Sequence, residues 1–198
     1  MRTTLRTLGF AIAVIALWEC LLRPSASSSS QAQPEKKTPA DNEEVTRIHA
    51  EDQADRMPKE GKIDWLTVGP RDAKRLARVH EIYQANQLVT GADYYHTAMV
   101  LQHSQKPTDF LLAHELCIVA ISKGEQRGKW LAAASEDRFL MNIGRPQRFG
   151  TQYRTTSQTE PVRLYKVEDG VTDALRLAFK TPTLEQAKSR EAEMNKFR

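Results

Sequence analysis

Proline and glycine interrupt this chain at intervals that suit short helices, and this spacing most restricts the folds open to it. Breaks at Pro58 and Gly61, at Gly69-Pro70, at residues 106–108 and at residues 144–146 separate stretches in which apolar residues recur three and four positions apart. Such spacing places apolar side chains on one face of a helix. The pattern predicts helices over residues 41–57, 71–87, 92–105, 109–123 and 128–141, of which the third and fourth form an antiparallel hairpin.

After the last of these breaks the pattern changes from helical to mixed. Residues 149–155 and 161–167 are β-like, and the polar residues between them predict a hairpin loop, although Pro161 limits its strand to an edge. A short helix over 171–179 and a charged helix over 183–196 follow. The predicted fold class is therefore mainly α and bundle-like with a small β-hairpin element, at the margin of α+β.

The N-terminal part of the chain does not belong to this helical domain. Basic Arg2 and Arg6 precede an apolar run, which predicts a signal peptide or an N-terminal membrane anchor over residues 1–23. The run is shorter than the roughly 20 residues of a typical transmembrane helix, so cleavage and retention both stay open. Residues 24–40 are rich in Ser, Pro, Gln and Lys and predict a disordered linker. Residues 41–198 form a single predicted domain, exported to the periplasm or the exterior, which contacts a membrane only through the N-terminal segment.

Composition excludes some classes of partner. Hydrophobic residues make up 40% of the chain and charged residues 27%, as in soluble globular proteins. Aromatic residues make up only 7% and the net charge is only +4, so no base-stacking surface is expected and nucleic acid is not a predicted partner. Of the two cysteines, Cys20 lies in the leader, and Cys117 lies in an apolar run typical of a buried hydrophobic residue rather than a nucleophile. The sequence identifies neither a cofactor nor an oligomeric state.

Polar residues replace apolar ones on the packing faces of three predicted helices. His103 shares a face with His96, His114 interrupts an apolar stripe on the next helix, and Asp137 interrupts another on the fifth. Buried polar groups need hydrogen-bond partners, so we expect His103, His114 and Asp137 to converge between packed helices. Arg138, one position further round, is expected at the rim of the resulting pocket.

A second group of polar residues surrounds this predicted pocket. The arginine side chains offer two-pronged contacts to a carboxylate or a phosphate, so the predicted partner is a small polar or anionic ligand. A binding module of this kind needs no turnover. The predicted ligand-binding residues are Gln102, Gln147, Arg148, Thr151 and Gln152.

The same residues also suit an enzyme, and His103, Asp137 and Arg138 are then the catalytic candidates. His103 would act as a general base on water, Asp137 would orient it, and Arg138 with Gln147 or Gln152 would hold an oxyanion or a phosphate. The reaction would be a hydrolysis or a group transfer. The sequence contains neither a Gly-x-Ser-x-Gly nor a His-Glu-x-x-His motif, so binding without catalysis is the leading hypothesis.

Two further alternatives use the same set of residues. A metal-assisted enzyme would recruit His96, His103, His114 and Asp137, whose side chains suit zinc or manganese. Their spacing matches no recognised ligand signature, and no metal ligand is predicted. In a structural domain, Asp137 and Arg138 would instead pair fully with one another or with the backbone. The enzyme and the binding module require a water-accessible cavity, whereas the structural domain does not.

Four short motifs occur in order along the chain. They are Asp-Gln-x-x-Arg at residues 52–56, Gln-His at 102–103, Asp-Arg at 137–138 and Gln-x-x-Gly-Thr-Gln at 147–152. With them the chain resembles an uncharacterised bacterial family, a domain of unknown function, over about residues 44–184. Arg148 stands where the family pattern commonly has a less polar residue. The resemblance implies that the motifs form one site or one structural knot, and it implies no activity.

Overall fold

The structure, a computed structural model, describes residues 39–58, 61–157 and 159–196. These residues form seven α-helices and one two-stranded hairpin, joined by loops. The predicted fold class, mainly α with a small β hairpin, is confirmed. The elements in chain order are α1 (Glu43–Arg56), α2 (Trp65–Gln84), α3 (Gly91–Leu101), α4 (Pro107–Ser122), α5 (Gly128–Asn142), β1 (Tyr153–Arg154), β2 (Arg163–Leu164), α6 (Asp173–Ala178) and α7 (Leu184–Asn195).

The predictions for the N-terminal part lie outside the described residues. They are the signal peptide or anchor over 1–23 and all but the last two residues of the linker over 24–40. The residues that are described belong to one compact unit. Among the helices of this described part, none combines the length and the apolar character that a transmembrane helix requires.

Capping residues set the starts of the helices that build the core. Asn42 caps α1, since its Oδ1 accepts hydrogen bonds from the backbone N–H groups of Glu44 and Val45. Thr90 and Asp93 form a capping box at the start of α3. Oδ1 of the fully buried Asp93 also accepts a hydrogen bond of 2.7 Å from the backbone N–H of Asn42, which joins the two helix starts.

Helix α2 starts earlier than the sequence pattern predicts, and the break predicted at Gly69-Pro70 is wrong. The helix begins at Trp65, after the N-cap Asp64, whose Oδ1 accepts a hydrogen bond from the backbone N–H of Leu66. A proline inside a helix removes one backbone hydrogen bond. Val68 in this first part of α2 is only 4% exposed, and burial of its side chain offsets the lost bond. Tertiary packing therefore outweighs the local signal and lengthens the helix at its start.

The core lies among the first five helices, where α4 packs against both α3 and α5. It contains the fully buried side chains of Leu101 on α3, Cys117 on α4 and Leu131 on α5. Burial raises the pKa of the Cys117 thiol to about 12, so the thiol stays protonated near neutral pH. Cys117 thus packs as a small hydrophobic residue, as its sequence context predicts.

The β hairpin is shorter than predicted. Strand β1 pairs antiparallel with β2, with Tyr153 opposite Leu164. The hydroxyl of Tyr153 donates a hydrogen bond of 2.9 Å to the backbone oxygen of Ala187, a buried residue of α7. Residues 147–152, predicted in part as strand, form a loop instead because their polar groups bond to α5 and to one another.

Candidate functional site

Asp137 is fully buried on α5 and holds the loop that follows this helix. Its Oδ1 accepts hydrogen bonds from the backbone N–H groups of Arg148 and Phe149, at 2.6 and 2.9 Å. Its Oδ2 accepts from the backbone N–H and the hydroxyl of Thr151, at 3.0 and 2.8 Å. Four bonds satisfy the buried carboxylate. Asp137 makes no hydrogen bond or ion pair with His103 in the described structure, so it does not orient that histidine as predicted.

Residues 147–152, which we name the Asp137 loop, are also tied together by the buried amide of Gln147. Its Nε2 donates to the backbone oxygens of Gln152 and Tyr165, each at 2.9 Å, and its Oε1 accepts from the N–H of Gln152 at 2.8 Å. Gly150 has a φ of +79°, a left-handed conformation that glycine adopts at little cost. This part of the molecule fits the structural alternative, since its polar groups are matched by one another.

Arg138 follows Asp137 in the sequence, but besides the Asp137 loop it contacts the C-cap residue of α3, because successive residues of a helix lie about 100° apart. Its Nη1 donates to the backbone oxygen of Gln102 at 2.6 Å, and its Nε donates to Oε1 of Gln152 at 3.4 Å. Its Nη2 has no hydrogen-bond partner, and the guanidinium no carboxylate partner, among the residues that the structure describes. Burial lowers the pKa of Arg138, and the nearby charge of Arg56 lowers it further.

Arg138 and His103 line the same cleft, which has a volume of about 440 Å³. Small-molecule sites have volumes of roughly 300 to 1,000 Å³. Helix α2 lines one part of the cleft, and the last residue of α1, the loop between α3 and α4 and one residue of α5 line the rest. The polar and charged residues that line it are Arg56, Asp72, His103, Ser104, Gln105 and Arg138.

The imidazole of His103 lies beside a carboxylate other than the predicted one. Its Nε2 is 3.4 Å from Oδ2 of Asp52, a fully buried residue of α1. This nitrogen is itself buried and has no hydrogen-bond partner in the described ranges, so the two groups are in close contact without hydrogen-bond geometry. Asp52, rather than Asp137, is the acidic neighbour of His103.

Asp52 belongs to a group of ion pairs that joins α1 to α2, which we name the α1–α2 network. Arg56 pairs with Asp52 at 2.8 Å and with Asp72 at 2.7 Å. Arg75 pairs with Asp72 at 2.6 Å and with Asp55 at 2.8 Å. Burial acts to raise the pKa of Asp72, but hydrogen bonds from Arg56 and Arg75 outweigh it, so this pKa lies below its ordinary value. Arg56 and Arg75 thus each pair with at least two carboxylates of the network.

His103, His114 and Asp137 do not converge as expected, because neither His114 nor Asp137 lines the cleft beside His103, and His96 does not line it either. Nδ1 of His114 lies 3.0 Å from the backbone oxygen of Ala132. His96 stacks on His49, with ring centroids 4.1 Å apart. Burial lowers the pKa of both rings in this pair, that of His49 to about 4. Within the described part of the chain, no three His, Cys, Asp or Glu side chains are grouped so that they could hold a metal ion.

The predicted ligand-binding side chains make contacts within the protein instead of lining the cleft. Nε2 of Gln102 donates to Sδ of Met99 at 2.7 Å. The guanidinium of Arg148 lies 3.3 Å from the carboxylates of Glu136 and Glu168. Together with the bonds of the Asp137 loop, these contacts account for all five residues of that prediction.

The sequence pattern does not predict the α2 side of the cleft. The break predicted at Gly69-Pro70 removes Trp65 from the helix, so the face that it shares with Leu76 does not appear in the apolar pattern. A signal does exist for Asp52 and Arg56. The first motif of the resemblance places these two residues four positions apart, which is the spacing of an ion pair on one helical turn.

Comparisons with family models, with curated proteins and with solved structures find no match to this chain. The resemblance to an uncharacterised bacterial family therefore stays a prediction. Evidence on function comes from the residues of the cleft and of the Asp137 loop.

Proposed function

We propose that this domain binds a small anionic ligand in the cleft, with Arg138 as the principal contact. The observation that carries the proposal is Nη2 of Arg138, a guanidinium nitrogen that lacks a partner among the described residues and belongs to a side chain that lines the cleft. Guanidinium groups donate strong hydrogen bonds to carboxylate and phosphate oxygens. The ligand class is therefore a carboxylate or a phosphate.

The charges around the cleft also favour an anion. Arg56 lies close enough to lower the pKa of Arg138, and its own carboxylate partners, Asp52 and Asp72, are already engaged by arginines. A partly buried cation without a counter-charge is unfavourable, and a bound anion would offset both its burial and its repulsion by Arg56. His103 at the same cleft adds a second group able to donate to an oxygen atom.

A second candidate function, hydrolysis or group transfer, is supported by the contact between His103 and Asp52. His103 would take a proton from water, and the buried carboxylate of Asp52, 3.4 Å from its Nε2, would hold the ring in position. Arg138 would hold the oxyanion or the phosphate oxygen. Turnover of p-nitrophenyl phosphate or p-nitrophenyl acetate that His103→Gln abolishes would support the enzyme. Phosphate binding without turnover of either compound would support binding alone.

We also propose that this protein is exported, or tethered to the cytoplasmic membrane by residues 1–23. The support is the sequence pattern of two arginines before an apolar run. Mass spectrometry of the chain recovered from separated membrane and soluble fractions tests this. A mature chain that starts after residue 23 indicates cleavage, an intact chain in the membrane fraction indicates an anchor, and an intact chain in the cytoplasm contradicts export.

Titration of the full chain with inorganic phosphate and with succinate tests the binding proposal. We expect a saturable shift of the Nε–H resonance of Arg138 in NMR spectra, with affinities measured in parallel by calorimetry. Loss of a hydrogen bond to a charged group costs about 1.5 to 3 kcal/mol of binding free energy, so Arg138→Gln should weaken binding roughly 10- to 150-fold. Arg138→Lys keeps the charge and should retain part of the affinity.

Two results would contradict the proposal. One is that neither anion produces a saturable shift. The other is that folded Arg138→Gln binds as tightly as the natural protein. Arg148→Gln is a matched control, because Arg148 is also a partly exposed arginine but pairs with Glu136 and Glu168 outside the cleft.

A further inference from the structure

The two sides of the cleft differ in chemical character. Helix α2 presents Trp65, Gly69, Ala73 and Leu76 to it, four residues spaced by four, four and three positions and therefore on one face of the helix. Apart from Asp72, every side chain that α2 contributes is apolar or absent. The other side carries the polar and cationic groups, including His103 and Arg138. The cleft thus pairs an apolar wall with a cationic one.

Trp65 lies at this apolar wall with much of its indole uncovered. The residue is 62% exposed, although Val68 in the same first turn of α2 is buried. Large aromatic side chains contribute most when another flat or apolar group covers them, and tryptophan is the strongest stacking residue. An uncovered tryptophan that lines a cavity therefore matches a ligand with a planar or apolar part.

Gly69 leaves the middle of the apolar wall open. A Cβ built at this position would meet no atom within 4 Å, and the backbone there is ordinary helix. Glycine inside a helix is destabilising relative to alanine by roughly 0.5 to 1 kcal/mol. Its effect here is to leave room in the cleft between Trp65 and Leu76.

We propose that the ligand of the cleft is an amphiphilic anion, a carboxylate or phosphate joined to a planar apolar group such as an aryl ring. The anionic group contacts Arg138, and the ring lies along the α2 wall and stacks on Trp65. This inference rests on the proposed function and adds the class of ligand to it. A volume of about 440 Å³ accommodates both parts.

Inorganic phosphate and phenyl phosphate, compared as ligands of the full chain by calorimetry, test this inference. Both carry the anionic group, and only phenyl phosphate carries the ring. Burial of the ring against an indole should make phenyl phosphate bind roughly tenfold tighter or more. The indole N–H resonance of Trp65, identified by its loss in Trp65→Phe, should shift with phenyl phosphate more than with inorganic phosphate.

Variants on the α2 wall distinguish the contribution of the ring to the affinity from that of the anionic group. Trp65→Ala should erase the difference in affinity between the two ligands, whereas Trp65→Phe should keep most of it. Gly69→Leu should weaken phenyl phosphate most, because its side chain occupies the part of the wall where an added Cβ meets no atom within 4 Å. Trp130→Phe is the matched control, since Trp130 is a partly exposed tryptophan of α5 outside the cleft.

The outcomes distinguish this inference from the proposed function. If inorganic phosphate binds through Arg138 but phenyl phosphate binds no tighter, the amphiphilic class is wrong and anion binding stands. The same conclusion follows if Trp65→Ala weakens both ligands equally. If neither ligand binds, or if binding of both is unaffected by Arg138→Gln, the proposed function is wrong and this inference falls with it.

Discussion

Asp137 and Arg138 are neighbours on one helix, yet the regions that they serve differ in almost every physical respect. The carboxylate of Asp137 and the buried amide of Gln147 are matched by hydrogen bonds with the Asp137 loop and with nearby backbone. The cleft at Arg138 is open and has a volume of about 440 Å³, and one nitrogen of its guanidinium has no hydrogen-bond partner among the described residues. The first region stabilises the fold, and the second is the one with capacity left for a ligand.

The difference shows that a polar residue at an apolar position predicts only that the residue has a partner. For Asp137 the partners are three backbone N–H groups and one hydroxyl of the same loop. For Arg138 the partners among the described residues leave one of its donor nitrogens without a hydrogen bond. Unused capacity beside a cavity is what separates a candidate site from a structural network.

The largest expected effect is on the Asp137 loop. Asp137→Asn replaces one acceptor oxygen with an amide NH2 group, which is a donor and cannot accept from the N–H groups that it faces. We therefore expect the variant to lower the free energy of unfolding by about 2 to 4 kcal/mol. Urea denaturation followed by circular dichroism measures the change. A loss below about 0.5 kcal/mol, the usual range of surface substitutions, would mean that the loop does not depend on this carboxylate.

Acid should weaken the α1–α2 network beside the cleft. The pKa of Asp72 in the folded protein lies below its ordinary value of about 3.9, so the unfolded chain takes up a proton first as the pH falls. The stability contributed by Asp72 is therefore present above about pH 4 and lost as the pH falls further. Urea denaturation at several values between pH 6 and pH 2.5 should show a flatter decline for Asp72→Asn. Asp169→Asn, a change at an exposed carboxylate, should keep the steeper decline of the natural protein.

Arg138→Met should cost less stability than Asp137→Asn and should affect binding more. The variant loses two hydrogen bonds but removes a partly buried cation, so we expect a loss of about 1 kcal/mol or less. Thermal unfolding with and without phosphate measures both effects. Saturating phosphate should stabilise the natural protein, by about 2.7 kcal/mol at 100 times Kd, and should leave Arg138→Met unchanged. Equal stabilisation of both proteins would place the anion elsewhere.

The smallest effect is expected at Gly69, and it has the opposite sign. Gly69→Ala adds a methyl group in open space within a helix, so we expect the free energy of unfolding to rise by about 0.5 to 1 kcal/mol. Urea denaturation measures this gain. Gly150→Ala is the contrasting change in the Asp137 loop, where a φ of +79° makes the alanine unfavourable and stability should fall. A loss of stability in Gly69→Ala would show that this position is not open.

The sequence predicted the helices well and the site only in part. Apolar spacing and helix breakers place four of the first five helices to within a few residues, because both signals act between neighbours in the chain. The exception is α2, where burial of Val68 overrides the break at Gly69-Pro70. At the site, the prediction that His103 and Arg138 share a pocket agrees with the cleft, whereas the acidic neighbour of His103 is Asp52 rather than Asp137.

By itself, the sequence determined that this chain forms a mainly helical domain and that several polar groups must find partners inside it. Both conclusions follow from spacing along the chain and from the free energy of burying a polar group. Only the tertiary structure decided which groups meet. The partners of Asp137 lie 11 to 14 positions away and those of Arg138 lie 14 and 36 positions away, and their approach depends on how helices pack rather than on any local pattern. Because of this packing, Asp137 binds the backbone of the Asp137 loop, whereas its neighbour Arg138 lines a cleft.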